Sequence, residues 1–225
     1  MLLKVSVFVR AKLVATKLQS NTYILIEIMR FTTQLLPKRS SNLAILVLNN
    51  PKALHALTLE MMHCTSDVLK EWYKDDSLQA ILLKSSETSN VRSFCAGGDV
   101  KAVYKHGLET TTDEQGNPVV HGQGVHGVGT AEFFRQEYYV NHMLCTSKIP
   151  QISLWNGIVM GGGVGVSIYG KYRVATEHTV FAMPETGIGL FPDVGSLYWM
   201  PRMLNMSMAK YLALTGARLK AADLM

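Results

Sequence analysis

Glu185 and Asp193 are the residues whose setting first suggests chemistry. Each follows a proline, and they sit eight positions apart in the stretch AMPETGIGLFPDVG from Ala182 to Gly195. Carboxylates are expected on solvated surfaces. In an apolar, glycine-rich segment, burial would raise their pKa values into the range that general acid–base work needs. The same two acids also read as turn-capping carboxylates. Two small-residue turns offer groups of the complementary kind. SFCAGGD, Ser93 to Asp99, follows an expected strand and precedes an expected helix capped by Asp99. Its Ala96, Gly97 and Gly98 would let a ligand approach backbone N–H groups that no strand partner claims. MGGGVG, Met160 to Gly165, lies between a strand and an expected helix, so free N–H groups and the positive end of the helix dipole would coincide. It lacks the Lys-Ser/Thr of a phosphate loop and the spacing of a GxGxxG nucleotide turn. Either turn alone also reads as close packing of helix on strand. Together they can form an oxyanion hole, in which each preorganised donor lowers the barrier at a thioester carbonyl by about 3 kcal/mol. A further acid, Glu137, lies among aromatics in FFRQEY and by itself reads as a helix-surface charge.

Alternating strands and helices would have to position these groups. Leu43 to Leu48 reads as a buried strand stopped by Asn49, Asn50 and Pro51. Leu57, Met61, Met62, Val68, Leu69 and Trp72 recur at helical spacing, with Thr58 as the cap. Gln79 to Lys84 reads as a second strand, and strand, helix, strand is the rhythm of an α/β domain with helices packed on a sheet. Residues 107–130, with six glycines and four threonines, form an expected long surface loop. A helix is expected over 131–145, then strands at 151–155, 172–175 and 179–182. The last residues, Lys220 to Met225, read as the uncapped start of a helix, so the chain is expected to stop short of further C-terminal helices.

Composition removes several function classes. With 225 residues, 48% hydrophobic and 17% charged, the chain is that of a folded globular protein. Its longest apolar runs fall far short of the roughly 20 residues a membrane-spanning helix needs. The net charge of +5 is concentrated in residues 1–40, where seven basic side chains face the single acid Glu27, a local +6. The rest therefore sums to −1, which leaves a nucleic-acid surface in the folded part without an electrostatic motive. Residues 1–40 match a mitochondrial presequence in composition or form a poorly ordered terminus, and the folded domain is expected over 41–225. Cys64, Cys95 and Cys145 are odd in number and form no CxxC pair, which points to a reducing compartment. His121 and His126 lie five apart with no carboxylate or cysteine to complete a set, so no metal site is expected.

In order and spacing these motifs resemble the crotonase (enoyl-CoA hydratase/isomerase) superfamily. The similarity runs from Leu43 to the C-terminus through NNPKALHALT, SFCAGGDVKAVY, FFRQEYYVNHML, GIVMGGGVGVSIYGKYRVATE, FAMPETGIGLFPDVGSLYWMPR and YLALTGARLK. The resemblance implies a spiral of ββα units and a small-molecule acyl-CoA substrate. It also implies a homo-oligomer, with neither metal nor redox cofactor. It makes the amides of Gly98 and Gly162 the oxyanion hole and Glu185 the catalytic carboxylate. Asp193 becomes the second acid, beside a substrate hydroxyl, and Glu137 belongs to the substrate pocket. Hydratases of the family carry a second glutamate where this chain has Gly165, and commonly a glycine where it has Asp193. The implied activity is therefore hydrolysis of a β-hydroxyacyl thioester, 3-hydroxyisobutyryl-CoA of valine catabolism, in the mitochondrial matrix. Hydration or isomerisation of enoyl-CoA is an alternative within the family, and a structural role in the mitochondrial small ribosomal subunit is one outside catalysis. His55 stands where the family usually has asparagine, and the 107–130 loop is longer and richer in glycine than its counterpart.

Overall fold

The computed structural model describes residues 35–40, 42–87, 92–108, 111–112, 115, 118–119 and 128–224. Residues 1–34 of the expected leader, and His121 and His126 with much of the expected loop, lie outside them.

The first strand, β1 (Leu35–Ser40), pairs antiparallel with β2 (Leu43–Leu48). It occupies the edge of its sheet, where Pro37, which has no N–H to donate, is tolerated. The ordered fold thus reaches into the segment expected as leader. Counting charges cannot register a strand whose sequence includes Lys38 and Arg39. Helix α1 (Leu59–Trp72) starts at Thr58, whose hydroxyl accepts from the Met61 amide at 3.2 Å, and it buries Met61, Met62, Val68, Leu69 and Trp72. β3 (Ala80–Ser85) then runs parallel to β2, completing the expected strand–helix–strand unit.

Next come β4 (Ser93–Cys95) and α2 (Val100–Leu108), capped by Asp99, whose carboxylate accepts from the Ala102 amide at 3.1 Å. Short strands β5 (Thr111–Thr112) and β6 (Pro118–Val119) pair antiparallel, and α3 (Val128–Cys145) begins three residues before the expected start. β7 (Gln151–Trp155), β8 (Ile158–Met160), the single turn α4 (Gly162–Gly165), β9 (Tyr172–Ala175) and β10 (Val180–Ala182) follow. The described chain closes with α5 (Ser196–Met203), α6 (Met206–Thr215) and β11 (Leu219–Lys220). Ala221–Leu224 forms one 3-10 turn after β11, and the Asp223 carboxylate accepts from the Lys220 amide at 2.8 Å. Pairing of Lys220 with Val180 makes the first of the last residues strand, and within Ala221–Leu224 the expected helix is realised as that single 3-10 turn.

Besides the β5-β6 pair, two larger sheets result, ordered β1-β2-β3-β7-β9 and β11-β10-β8-β4. The successive pairs β3/β4, β7/β8 and β9/β10 each send their first strand to one sheet and their second to the other, with helical residues after each pair. That is the expected ββα spiral. Phe94, Val159 and Phe181 from the smaller sheet share one core with Leu46, Leu83 and Trp155 from the larger and Met61 and Leu69 from α1. Burying each such side chain contributes about 1.5–3 kcal/mol.

The strand register of the smaller sheet matters most for the site. β8 lies between β4 and β10, parallel to both, with Cys95 opposite Val159 and Met160 opposite Ala182. The carboxyl ends of the three strands therefore lie side by side, the usual ligand position in parallel α/β sheets.

One turn departs from the expected chemistry. Leu54 and His55 both adopt left-handed backbone, at φ 55° and 59°. Asparagine tolerates that region better than most residues, and histidine is among the few others enriched there. The His55 ring is buried, and its Nδ1 accepts from the Asn50 amide at 3.1 Å, which leaves the proton on Nε2, where no partner among the described residues meets it. Burial lowers the His55 pKa below 6.5. The unfolded chain therefore binds the proton more readily, and stability is lost as pH falls below about 6.5. Replacing the ring (His55→Asn) is expected to remove that loss, so the melting temperature of wild type should fall more steeply than that of the variant between pH 7 and 5. Parallel curves would refute the assignment.

Candidate active site

A cavity of about 390 Å³ opens at the three strand ends. Gly98, Gly162, Glu137, Glu185 and Asp193 all line it, so the structure brings together every site residue the sequence indicated.

The glycine turns arrive from β4 and β8. Gly97 and Gly161, the residues before the two donors, have φ of 116° and 50°, a region that side chains rarely adopt. A Cβ on Gly161 would stand 2.8 Å from a Glu185 carboxylate oxygen, and one on Gly98 would stand 2.8 Å from Cζ of Phe133. A Cβ on Gly162 would be 3.2 Å from the Gly98 nitrogen, so the two amides are neighbours. Neither amide donates to a protein acceptor among the described residues. They form a pair of free, fixed donors. The expected helix after Gly162 is only four residues long, and Gly163 packs so tightly on Cys95 that a Cβ there would lie 2.7 Å from Cys95 Cβ. The donors thus act as two oriented N–H groups with little help from a helix dipole.

Three acids face these amides. Glu185 opens the 3-10 turn Glu185–Ile188 shortly after β10, with its Oε2 buried and without a hydrogen-bond partner among the described residues. Glu137 projects from the middle of α3 and is 2% exposed, with Oε1 against Gly162 and unpartnered among the described residues. The helix-surface reading of Glu137 is therefore corrected. It belongs to the buried stripe of α3 with Phe133, Val140 and Asn141. Asp193 sits at the rim, its backbone carbonyl accepting from the Ser196 amide at 2.8 Å and its Oδ2 accepting from the Tyr138 hydroxyl at 2.9 Å. The following residue, Val194, is held at φ 44°, strained for a β-branched side chain, and its carbonyl accepts from the Tyr169 hydroxyl at 2.8 Å.

Burial dominates the electrostatics. It pushes Glu137 up to about 8, with repulsion from Asp193 and Glu185 adding to the rise. It raises Glu185 to about 7, assisted by Asp193 and opposed by Glu185's own backbone amide. Asp193 is also raised by burial, but the Tyr138 hydroxyl and its own amide pull the other way. At neutral pH the arrangement favours a protonated Glu137 and a Glu185 poised between the two states, while the two donors to Asp193 offset part of its rise. Tyr138 is the functional candidate that sequence reasoning missed. Its signal was the helical spacing that stacks it on Phe134, ring centroids 5.9 Å apart, one position beyond Glu137.

A sequence model of the enoyl-CoA hydratase/isomerase family matches residues 43–225. The chain belongs to that family. Among its curated relatives, the mitochondrial 3-hydroxyisobutyryl-CoA hydrolase of Danio rerio is 43% identical over 191 residues, which is 85% of this chain and 45% of that protein. The 3-hydroxyisobutyryl-CoA hydrolase 1 of Arabidopsis thaliana is 41% identical over 193 residues, 86% of this chain and 46% of that one. The chain thus spans less than half the length of either relative. Among solved structures, a carnitinyl-CoA dehydratase from Mycobacterium thermoresistibile superposes with a TM-score of 0.72 at 35% identity, covering 85% of this chain and 51% of that one. An enoyl-CoA hydratase from Rhodobacter sphaeroides gives 0.71 at 29%, covering 85% and 51%. The crotonase-like α/β fold is therefore shared.

Within this family, Gly165 distinguishes the chain from a two-glutamate hydratase. A Cβ there would stand 2.6 Å from Val194 Cβ and 3.0 Å from Asn141 Nδ2. Gly165→Glu is expected to destabilise the protein by about 1–3 kcal/mol or more through overpacking and to install no hydratase activity. Wild-type thermal stability together with new hydration of crotonyl-CoA would contradict this. A second expectation follows from Glu137. Its raised pKa means that the native state keeps a proton the unfolded state has lost, so stability decreases as pH rises from about 4.5 to about 8. Glu137→Gln should gain stability relative to wild type at pH 8 compared with pH 5. A pH-independent difference in melting temperature would argue against the assignment.

Proposed function

We propose that this chain carries the active site of a 3-hydroxyisobutyryl-CoA hydrolase that acts in mitochondria. The observation that carries the reading is the convergence of three buried acids on a pair of free backbone amides. The identity of over 40% to curated relatives bearing that name supports it.

The thioester oxygen sits between the amides of Gly98 and Gly162. There the charge that develops at the tetrahedral stage meets two donors already in place, each worth about 3 kcal/mol. Glu185, near its midpoint at neutral pH, attacks the carbonyl carbon or takes a proton from a water that does so. The C–S bond then breaks, CoA leaves as its thiolate and collects a proton, and a water oxygen ends in the free acid. The Asp193 carboxyl group accepts a hydrogen bond from the β-hydroxyl of the acyl group, and protonated Glu137 donates inside the pocket. Water is the sole co-reactant, and CoA belongs to the substrate, so the step calls for no cofactor. The crowding at Gly165 disfavours hydration, which needs two glutamates on one water. A 3-hydroxypropionyl chain differs by one methyl, and discrimination against it is expected to be only about 1–3 kcal/mol.

Release of free CoA thiol from 3-hydroxyisobutyryl-CoA by the full-length protein tests the proposal. Glu185→Gln is expected to lower kcat about 10²–10⁴-fold with KM changed little. An inactive full-length wild type would overturn the reading and favour a structural role, which co-sedimentation with ribosomes would reveal.

A further inference from the structure

Asp193 lines two cavities. One is the acyl cavity already described. The other, of about 410 Å³, lies behind it and is walled by Asn141, Tyr169, Phe191 and Tyr198 among others. No lysine or arginine among the described residues lines either cavity. An acid placed between Glu137 and Glu185 thus has no cationic side chain to hold its charge. What it has is Tyr138, whose hydroxyl donates to Oδ2 at 2.9 Å from the side of the second cavity.

We propose that Tyr138 is a positioning residue for Asp193: its hydroxyl takes one carboxylate oxygen, fixes the plane of the group and favours its ionised form. The catalytic part of this proposal rests on the hydrolase reading above. Successive helix residues point about 100° apart, so α3 delivers Glu137 into the acyl cavity and Tyr138 to the far side of Asp193. The Asp193 charge helps keep the proton on the first of these neighbours, and the second stabilises that charge. The phenol sits outside the acyl cavity and is therefore not a catalytic group. Its ring leans on Phe134, and burial together with the adjacent acids keeps its proton in place, so the group remains a donor across the neutral range. A hydrogen bond to an ionised acceptor is roughly twice as strong as a neutral one, so this contact favours the carboxylate over the carboxylic acid. The titratable groups that face Asp193 are Glu137, Tyr138, His142 and Cys145 from α3, Glu185 from the turn after β10, Tyr169 from the segment after α4 and Tyr198 from α5.

The test compares the full-length wild type with Tyr138→Phe and with 3-fluorotyrosine incorporated at position 138, which keeps the ring and is a stronger donor. The Asp193 carboxyl is followed by carbon-13 NMR, its signal assigned by its loss in Asp193→Asn. Thioester hydrolysis is followed against pH. In Tyr138→Phe, the Asp193 titration should move up by about one pH unit, while the acid limb of kcat, which Glu185 sets, should not rise with it. At pH values where only the variant's Asp193 is protonated, kcat should fall about tenfold, with KM within about twofold. The fluorinated side chain should move the Asp193 titration the opposite way, and it carries the test if the phenylalanine variant does not fold. An Asp193 titration that neither change moves would overturn the proposal. A shifted titration in a wild type that hydrolyses no thioester would leave Tyr138 in this role and remove the hydrolase reading instead.

Discussion

The site depends on the parallel pairing of β4, β8 and β10. Each of these strands is only three residues long, yet each ends in one of the three motifs: the Gly97–Gly98 turn, the Gly161–Gly162 turn and Glu185. Parallel neighbours place their carboxyl ends at the same edge of the sheet, so residues some 90 positions apart in sequence become walls of one cavity. A slip of one residue in β8 would turn its side chains to the opposite face and carry Gly162 away from Gly98. The fully buried Phe94, Val159 and Phe181 hold the register from inside the core.

Placing acids in that cavity sets a second constraint. Burial raises all three carboxyls, the Asp193 charge raises Glu137 and Glu185 further, and Glu185 adds to the rise of Glu137. Local donors separate them. Asp193 has a phenol hydroxyl and a backbone amide, Glu185 has a backbone amide, and Glu137 has neither. Three chemically similar groups thereby acquire different protonation states, as acid–base chemistry at one pH requires. The backbone strain at Val194, held by the Tyr169 hydroxyl, is part of the same arrangement because it sets where the Asp193 carboxyl stands.

Much of the fold was legible from local pattern. The Thr58 and Asp99 caps, the apolar stripe of α1 and the buried strands β2, β3 and β7 follow rules that act within a turn or a strand. The misses share a cause of longer range. β1 exists because β2 offers it an edge, and Lys220 is extended because Val180 pairs with it. α4 stops after one turn because its glycines are committed to packing on Cys95 and beside Val194. Periodicity carries no record of such partners.

For the site, the sequence by itself determined the chemical inventory: two small-residue turns that free backbone amides, and two proline-flanked acids in an apolar stretch. Residue types and their immediate neighbours suffice for that, because backbone exposure and turn chemistry are local properties. Only the tertiary structure decided that Glu137 is buried among these groups and that Tyr138 holds Asp193. It also decided that Gly165 leaves no room for a second glutamate. Each of these is a contact between segments far apart in the chain, and desolvation and charge repulsion act through the distances that folding alone creates.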